Sequence, residues 1–292
     1  MMNIEGILVP IITPFTADGQ VNAPALAQLV NHFVEAGVAG IVACGTTGEY
    51  YALDAEERDL VLRTVVEAAQ GRVKTIAGIN ALSTPESITH AQRAQALGYD
   101  GLMLATPPYS LPEQAGILQH FRTVAAATPL PIILYDFPQR VGVQIAVETV
   151  IELAKIPNIV AIKESSGNFN RALHLIQARI PDFQIISGSD DMAADFLFWG
   201  VRCWISGGAN VFPAEQVAMV KAASAGRWDE VRSLMAGMYP VILAMESGDY
   251  NQKAKLGCRR HGVEAGTVRL PLAPLPDADA QEFLHMLDAY QG

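Results

Sequence analysis

Gly40-Ile41-Val42-Ala43-Cys44-Gly45-Thr46-Thr47-Gly48-Glu49 joins an unbroken apolar run to a turn of glycines and hydroxyls. A half-exposed strand would alternate apolar and polar residues. Continuous apolar character instead marks a strand covered on both faces, as in a parallel sheet flanked by helices. The same signature recurs from Gly6 to Phe15, Lys74 to Ile79, Gly101 to Pro107, Pro131 to Pro138, Ile159 to Ser165, Phe183 to Ser189 and Cys203 to Asn210. With Gly40 to Thr47 these are eight strand candidates, and their starts lie 20 to 34 residues apart, the spacing of strand–helix units.

Helix signals fill the gaps. Leu53-Asp54-Ala55-Glu56-Glu57-Arg58 precedes apolar Leu60, Val61, Val65 and Val66, and Ser83-Thr84-Pro85-Glu86 opens the next helical stretch. Eight alternations predict an α/β fold, a closed (β/α)8 TIM barrel. A doubly wound open sheet is the second reading, weakened because no G-x-G-x-x-G follows the first strand. From Pro213 the pattern is helical without strands, punctuated by Gly226, Gly248 and the stretch Pro271 to Pro276. The expected division is a barrel over residues 1–225 and a C-terminal helical extension over residues 226–292.

Composition narrows the function. In 292 residues only 17% are charged, against about 25% in a typical globular chain, so much of the sequence is buried and disorder is excluded. Thirty acidic against 20 basic residues leave a net charge of −10, the wrong sign for neutralising nucleic-acid phosphates. No apolar run is long enough to span a bilayer. Met1-Met2-Asn3-Ile4-Glu5 lacks the basic region and apolar core of a signal peptide, so a cytoplasmic protein is expected. Cys44, Cys203 and Cys258 form no C-x-x-C pair and have no histidines at ligand spacing, which supports neither disulfides nor a metal site.

In a barrel of this kind chemistry belongs at the C-terminal ends of the strands. Ile159-Val160-Ala161-Ile162-Lys163-Glu164-Ser165-Ser166-Gly167 ends an apolar strand with a lysine. Burial there lowers the lysine pKa and exposes an amine able to form a Schiff base with a ketone. The segment alone equally allows a lysine that snorkels to solvent or pairs with Glu164. Gly45 to Glu49 offers hydroxyls and N–H groups to a carboxylate, or is a glycine turn with Thr47 capping the next helix. Tyr135-Asp136-Phe137-Pro138-Gln139-Arg140-Val141-Gly142 places a proton-transferring phenol and a carboxylate-clamping guanidinium at the rim, unless they are a packed tyrosine and a surface arginine. Thr106-Pro107-Pro108-Tyr109 is a rigid loop with an aromatic tip. Gly207-Gly208 after the eighth strand reads as close backbone approach, or as a phosphate cradle. His32, His90, His120, His174, His261 and His285 all fall on helical segments, which makes a histidine base improbable.

Three motifs in this order, G-T-T-G-E, Y-x-x-P-x-R-x-G and I-K-E-S-S-G, resemble the dihydrodipicolinate synthase and N-acetylneuraminate lyase family of class I Schiff-base aldolases from Gly6 to about Pro271. The resemblance implies a lyase that builds or splits 2-oxo acids through bound pyruvate, with no metal and no organic cofactor. It implies Lys163 as Schiff-base lysine, Tyr135 as acid and base, Thr46 as relay partner and Tyr109 donated by a neighbouring subunit. Thr46 and Thr47 would hold the pyruvate carboxylate, Arg140 the second substrate's carboxylate, and the Ile205 carbonyl and Gly188 would face the substrate. A homo-oligomer is implied, a tetramer built from dimers. Thr46-Thr47 with Arg140 resemble the synthase branch, which joins pyruvate to aspartate semialdehyde. Asp136 stands where that branch commonly has Asn, Ser189 where it often has an acid, and Gly207-Gly208 where it has bulkier residues. The extra room expected beside the lysine motivates a second reading, a 2-oxo-3-deoxy sugar acid aldolase or dehydratase. A barrel that binds 2-oxo acids as a sensor is the non-enzyme alternative. Ala55, Arg58, Leu82 and Pro108 at positions resembling the lysine-feedback pocket predict no inhibition by lysine, and Gly248 to Lys255 reads as a solvated helix start.

Overall fold

The computed structural model describes residues 4–290; Met1 to Asn3, part of the stretch read for a leader, and the last two residues lie outside them. Eight parallel strands close in sequence order into a barrel. They are β1 (Gly6–Pro10), β2 (Gly40–Ala43), β3 (Lys74–Gly78), β4 (Gly101–Ala105), β5 (Ile132–Asp136), β6 (Ile159–Glu164), β7 (Gln184–Ser187) and β8 (Cys203–Ile205). The outer ring comprises α1 (Ala23–Glu35), α2 (Ala55–Ala69), α3 (Thr84–Ala96), α4 (Gln114–Ala126), α5 (Pro138–Val141), α6 (Val147–Leu153), α7 (Phe169–Gln177), α8 (Ala193–Phe198) and α9 (Pro213–Ser224). Beyond it lie α10 (Trp228–Glu246), α11 (Tyr250–Gly257) and α12 (Asp277–Asp288). Among the described residues, no helix is long and apolar enough to cross a membrane.

The strands are shorter than the apolar runs that announced them. After β1, Ile11 and Ile12 remain buried although they leave the sheet, and Cys44 does the same after β2. Rim loops that fold back over the sheet must be apolar too, so hydrophobicity overruns the ladder at its C-terminal end. The helix starts follow their caps: Asp54 and Glu57 form a reciprocal capping box at α2, and Ser83 accepts from the Glu86 N–H at α3.

Alternation within each strand separates two buried layers. Leu8, Val42, Ile76, Met103, Ile133, Ala161, Ile186 and Ile205 fill the barrel interior, while Val9, Ile41, Leu104, Leu134 and Ile162 pack against the helices. Tyr135 pairs in register with Lys163, and Asp136 with Glu164. Tyr135 belongs to the interior layer with Ile133, which places its cross-strand partner Lys163 on the same side and the two carboxylates on the opposite one.

Candidate active site

The outward carboxylates answer the first ambiguity about Lys163. Arg171 on α7 lies 2.9 Å from Asp136 Oδ2, ion-pairs with Glu164 Oε2 and donates to the Ile145 carbonyl at 2.5 Å. Glu164 also accepts from the Ser166 N–H at 2.8 Å. Glu164 is therefore committed to Arg171 behind the sheet. The departure at Asp136 is structural as well, because Asp136 faces the same arginine and not the cavity.

Lys163 rises from β6 into a cavity of about 360 Å³ at the barrel mouth, with its nitrogen 4.4 Å from the Tyr135 ring centroid. The lysine is only 6% exposed. Burial lowers its pKa to about 8, partly countered by the charges of Asp190 and Glu246. Tyr135 is buried too, and desolvation pushes its phenol well up, while hydrogen bonds with Thr46 and Ser165 and the charge of Arg140 pull it back. Burial thus shifts both the amine and the phenol toward their neutral forms.

Thr46 and Thr47 line the same cavity. Their loop is bound at each end: the Glu49 N–H donates to the Thr46 carbonyl at 3.1 Å, and Thr13 donates to the Gly48 carbonyl at 2.7 Å. Thr47 caps no helix, since Asp54 caps α2. Arg140, on the short helix α5, lines the cavity and makes no ion pair among the described residues. Gly188 also lines it, and a Cβ there would lie 2.8 Å from Lys163 Cγ and 2.0 Å from Ser165 Oγ, so any side chain would displace the lysine. Ile205 ends β8 fully buried, two residues before cavity-lining Gly207. Tyr109 stands apart. It is 93% exposed at the tip of its loop with a left-handed backbone, φ +72°, and does not reach the cavity of its own chain. None of the six histidines lines the cavity.

Gly248 to Lys255 is not a solvated helix start. Tyr250 donates to Asp190 at 2.5 Å, Asn251 donates to the Thr46 carbonyl at 3.1 Å, and Lys255 pairs with Glu49 at 2.6 Å in a nearly solvent-free contact. Asn251 and Lys255 are buried and Tyr250 half-buried because their partners are barrel-rim groups, which composition does not reveal. Spacing does carry a signal: positions 250, 251, 254 and 255 fall on one helical face.

The expected room at Gly207-Gly208 is likewise absent. A Cβ at Gly207 would meet the Tyr250 hydroxyl at 2.4 Å, and one at Gly208 would meet Gln216 and Asp190 at 3.0 and 3.1 Å. The glycines accommodate neighbours, which removes the geometric premise of a sugar-acid site. The Gly208 N–H donates to Asp190, so the segment is close backbone approach and not a phosphate cradle. Sequence reasoning also passed over Asp190, Asp191, Glu246 and Tyr250, all of which line the cavity.

A closed barrel with a desolvated lysine beside a tyrosine at the C-terminal ends of adjacent strands defines the class I, Schiff-base-forming lyases. The family model of the dihydrodipicolinate synthetase family matches residues 3–290, and the chain belongs to that family. It is 42% identical over 275 residues, 94% of each chain, to 4-hydroxy-tetrahydrodipicolinate synthase of Alcanivorax borkumensis, and 38% identical, over 98% of each chain, to that of a Cyanothece species. A dihydrodipicolinate synthase of Bacillus anthracis superposes with a TM-score of 0.96 at 32% identity over the whole of both chains. One from Acinetobacter baumannii, solved in complex with pyruvate, gives 0.94 at 34% identity over 98% of both.

Proposed function

We propose that the protein is a 4-hydroxy-tetrahydrodipicolinate synthase that condenses pyruvate with aspartate semialdehyde. The observation that carries this reading is Lys163, sequestered from water and stacked against Tyr135 at the barrel mouth. In its free-amine form Lys163 attacks the pyruvate keto carbon, and loss of water gives an iminium. The iminium acts as an electron sink, so a methyl proton leaves and an enamine forms. The enamine carbon attacks the aldehyde carbon of the second substrate, and the resulting alkoxide takes a proton. The amino group of that substrate then attacks the iminium carbon, releasing Lys163 and closing the ring.

Tyr135 moves the protons through Thr46. Thr46 and Thr47 hold the pyruvate carboxylate, helped by N–H groups of their loop. Gly188 keeps space beside the lysine, and the Ile205 carbonyl faces the bound substrate. Arg140 takes the carboxylate of the aldehyde, a role supported by its place at the cavity without an ion pair among the described residues. Tyr109 of a second copy completes the hydroxyl chain, which requires a homo-oligomer of at least two subunits. Its exposure, with that of Leu111 and Leu82, supports an interface there. The three free, buried cysteines fit the cytoplasm.

Borohydride reduction with saturating pyruvate tests the first half-reaction: a stable adduct on Lys163 is expected, and none refutes the reading. Arg140→Ala is expected to raise KM for aspartate semialdehyde at least tenfold, about 1.4 kcal/mol, while trapping of the pyruvate adduct stays within about twofold. Equal loss in both steps overturns the role of Arg140.

A further inference from the structure

Part of the cavity wall is built by a tyrosine that the strand motifs do not contain. Tyr250 opens α11, and its hydroxyl occupies the space that a side chain at Gly207 would need. Asp190 fixes that hydroxyl. Asp190 is 3% exposed, and its Oδ1 accepts from Trp204 Nε1 at 2.9 Å while its Oδ2 accepts from the Gly208 N–H at 2.8 Å. A carboxylate can only accept, so the contact from Tyr250 is a donation and its phenol proton is committed to Asp190. The remaining lone pairs of the Tyr250 oxygen are acceptors. Tyr250 and Gly207 both line the cavity that holds Lys163. The lining of one cavity therefore carries two complementary chemistries: the Arg140 guanidinium, without an ion pair among the described residues, for a carboxylate, and an acceptor backed by a buried carboxylate for a cationic donor.

We infer that Tyr250, anchored by Asp190, is a specificity-determining residue that receives the ammonium group of a zwitterionic amino aldehyde whose carboxylate lies on Arg140. The inference rests on the proposed synthase activity and deepens it: the site selects an amino acid aldehyde over aldehydes that lack the amino group and over polyhydroxylated 2-oxo acids. Once this hydrogen bond forms, the nitrogen is held within the cavity of Lys163, where, after it has given up a proton, its attack on the iminium carbon must occur.

The experiment compares the native oligomer with Tyr250→Phe, which deletes one oxygen and keeps the ring. Three quantities are read: borohydride trapping of pyruvate on Lys163, KM for aspartate semialdehyde, and KI for succinate semialdehyde, the same aldehyde without its amino group. The expected result is a KM raised about tenfold, with KI and trapping within about twofold. Asp190→Asn, which removes the carboxylate behind the tyrosine, is expected to give the same split between KM and KI, with pyruvate trapping at pH 7 increased because the Asp190 charge stabilises the Lys163 ammonium, and serves if the first variant fails to fold. Equal changes in KM and KI, or no change in either, overturn the inference while leaving the synthase reading intact. A native enzyme that traps pyruvate but does not turn over aspartate semialdehyde, and instead cleaves a 2-oxo-3-deoxy sugar acid, overturns both.

Discussion

Titrating the Schiff-base step separates a catalytic amine from an ordinary one. With the usual lysine value of 10.5, about 0.03% of Lys163 would be free amine at pH 7. At a value of about 8 the fraction is about 9%, a gain of about 300-fold that corresponds to about 3 kcal/mol. The rate of borohydride trapping with saturating pyruvate should follow that fraction. It should rise about ninefold from pH 6 to pH 7, about fivefold from pH 7 to pH 8, and no more than about twofold above that. Glu246→Gln supplies an internal control. The Glu246 charge stabilises the ammonium and raises the lysine value, so its removal should move the bend below pH 8 and increase trapping at pH 7. A bend near pH 10, a flat profile, or an upward shift in the variant would refute the burial argument.

Removing Arg171 leaves Asp136 and Glu164 buried without their cation, so Arg171→Ala should cost about 3–5 kcal/mol in urea unfolding at pH 8. Because the stranded carboxylates can take up protons in acid, the deficit should shrink at pH 5; a pH-independent loss would contradict the ion-pair account. Gly188→Ala should cost about 1–3 kcal/mol in the same assay and reduce pyruvate trapping together with turnover, since its Cβ meets backbone at Glu164 as well as Lys163. Full trapping in that variant would show that the lysine has room to move. Lysine at millimolar concentration should leave turnover unchanged: Arg58 is buried and donates to the Gly78 carbonyl, while Leu82 presents an apolar surface. Measurable inhibition would refute that expectation.

The barrel was legible because every strand is sandwiched, and a sandwiched strand leaves an unbroken apolar trace that the helix caps then divide into units. Lys163 was legible because an amine ending such a trace is chemically out of place. The strand ends were not, since rim residues such as Ile11, Ile12 and Cys44 are as buried as those within the ladder. The part of the site built by the C-terminal extension was also missed. Tyr250, Asn251 and Lys255 look solvated as single residues, and the barrel rim, more than 190 positions earlier for Asn251 and Lys255, supplies the partners that bury them. Gly207 misled for a related reason: a missing side chain does not say which neighbour fills its place.

These distant partners give the extension a task beyond covering the barrel. Glu49, the acid of the G-T-T-G-E motif, sits in a left-handed conformation at φ +53°, which costs about 1–3 kcal/mol and persists only where its surroundings over-determine it. Its carboxylate pairs with Lys255 at Oε1 and accepts from the Arg269 N–H at Oε2, 2.9 Å away. Lys255 is further fixed by the Thr267 carbonyl at 2.8 Å and lies 3.9 Å from the Phe15 ring centroid. Arg269 also bridges to Glu57 in the capping box of α2. With Asn251 holding the Thr46 carbonyl, the extension grips the threonine loop from both sides of the two residues assigned to the pyruvate carboxylate. Short hydroxyl side chains can orient a substrate only if their backbone is fixed. The strained turn stays in place because residues more than 200 positions downstream satisfy its charges, so the extension contributes to the site as directly as the strands do.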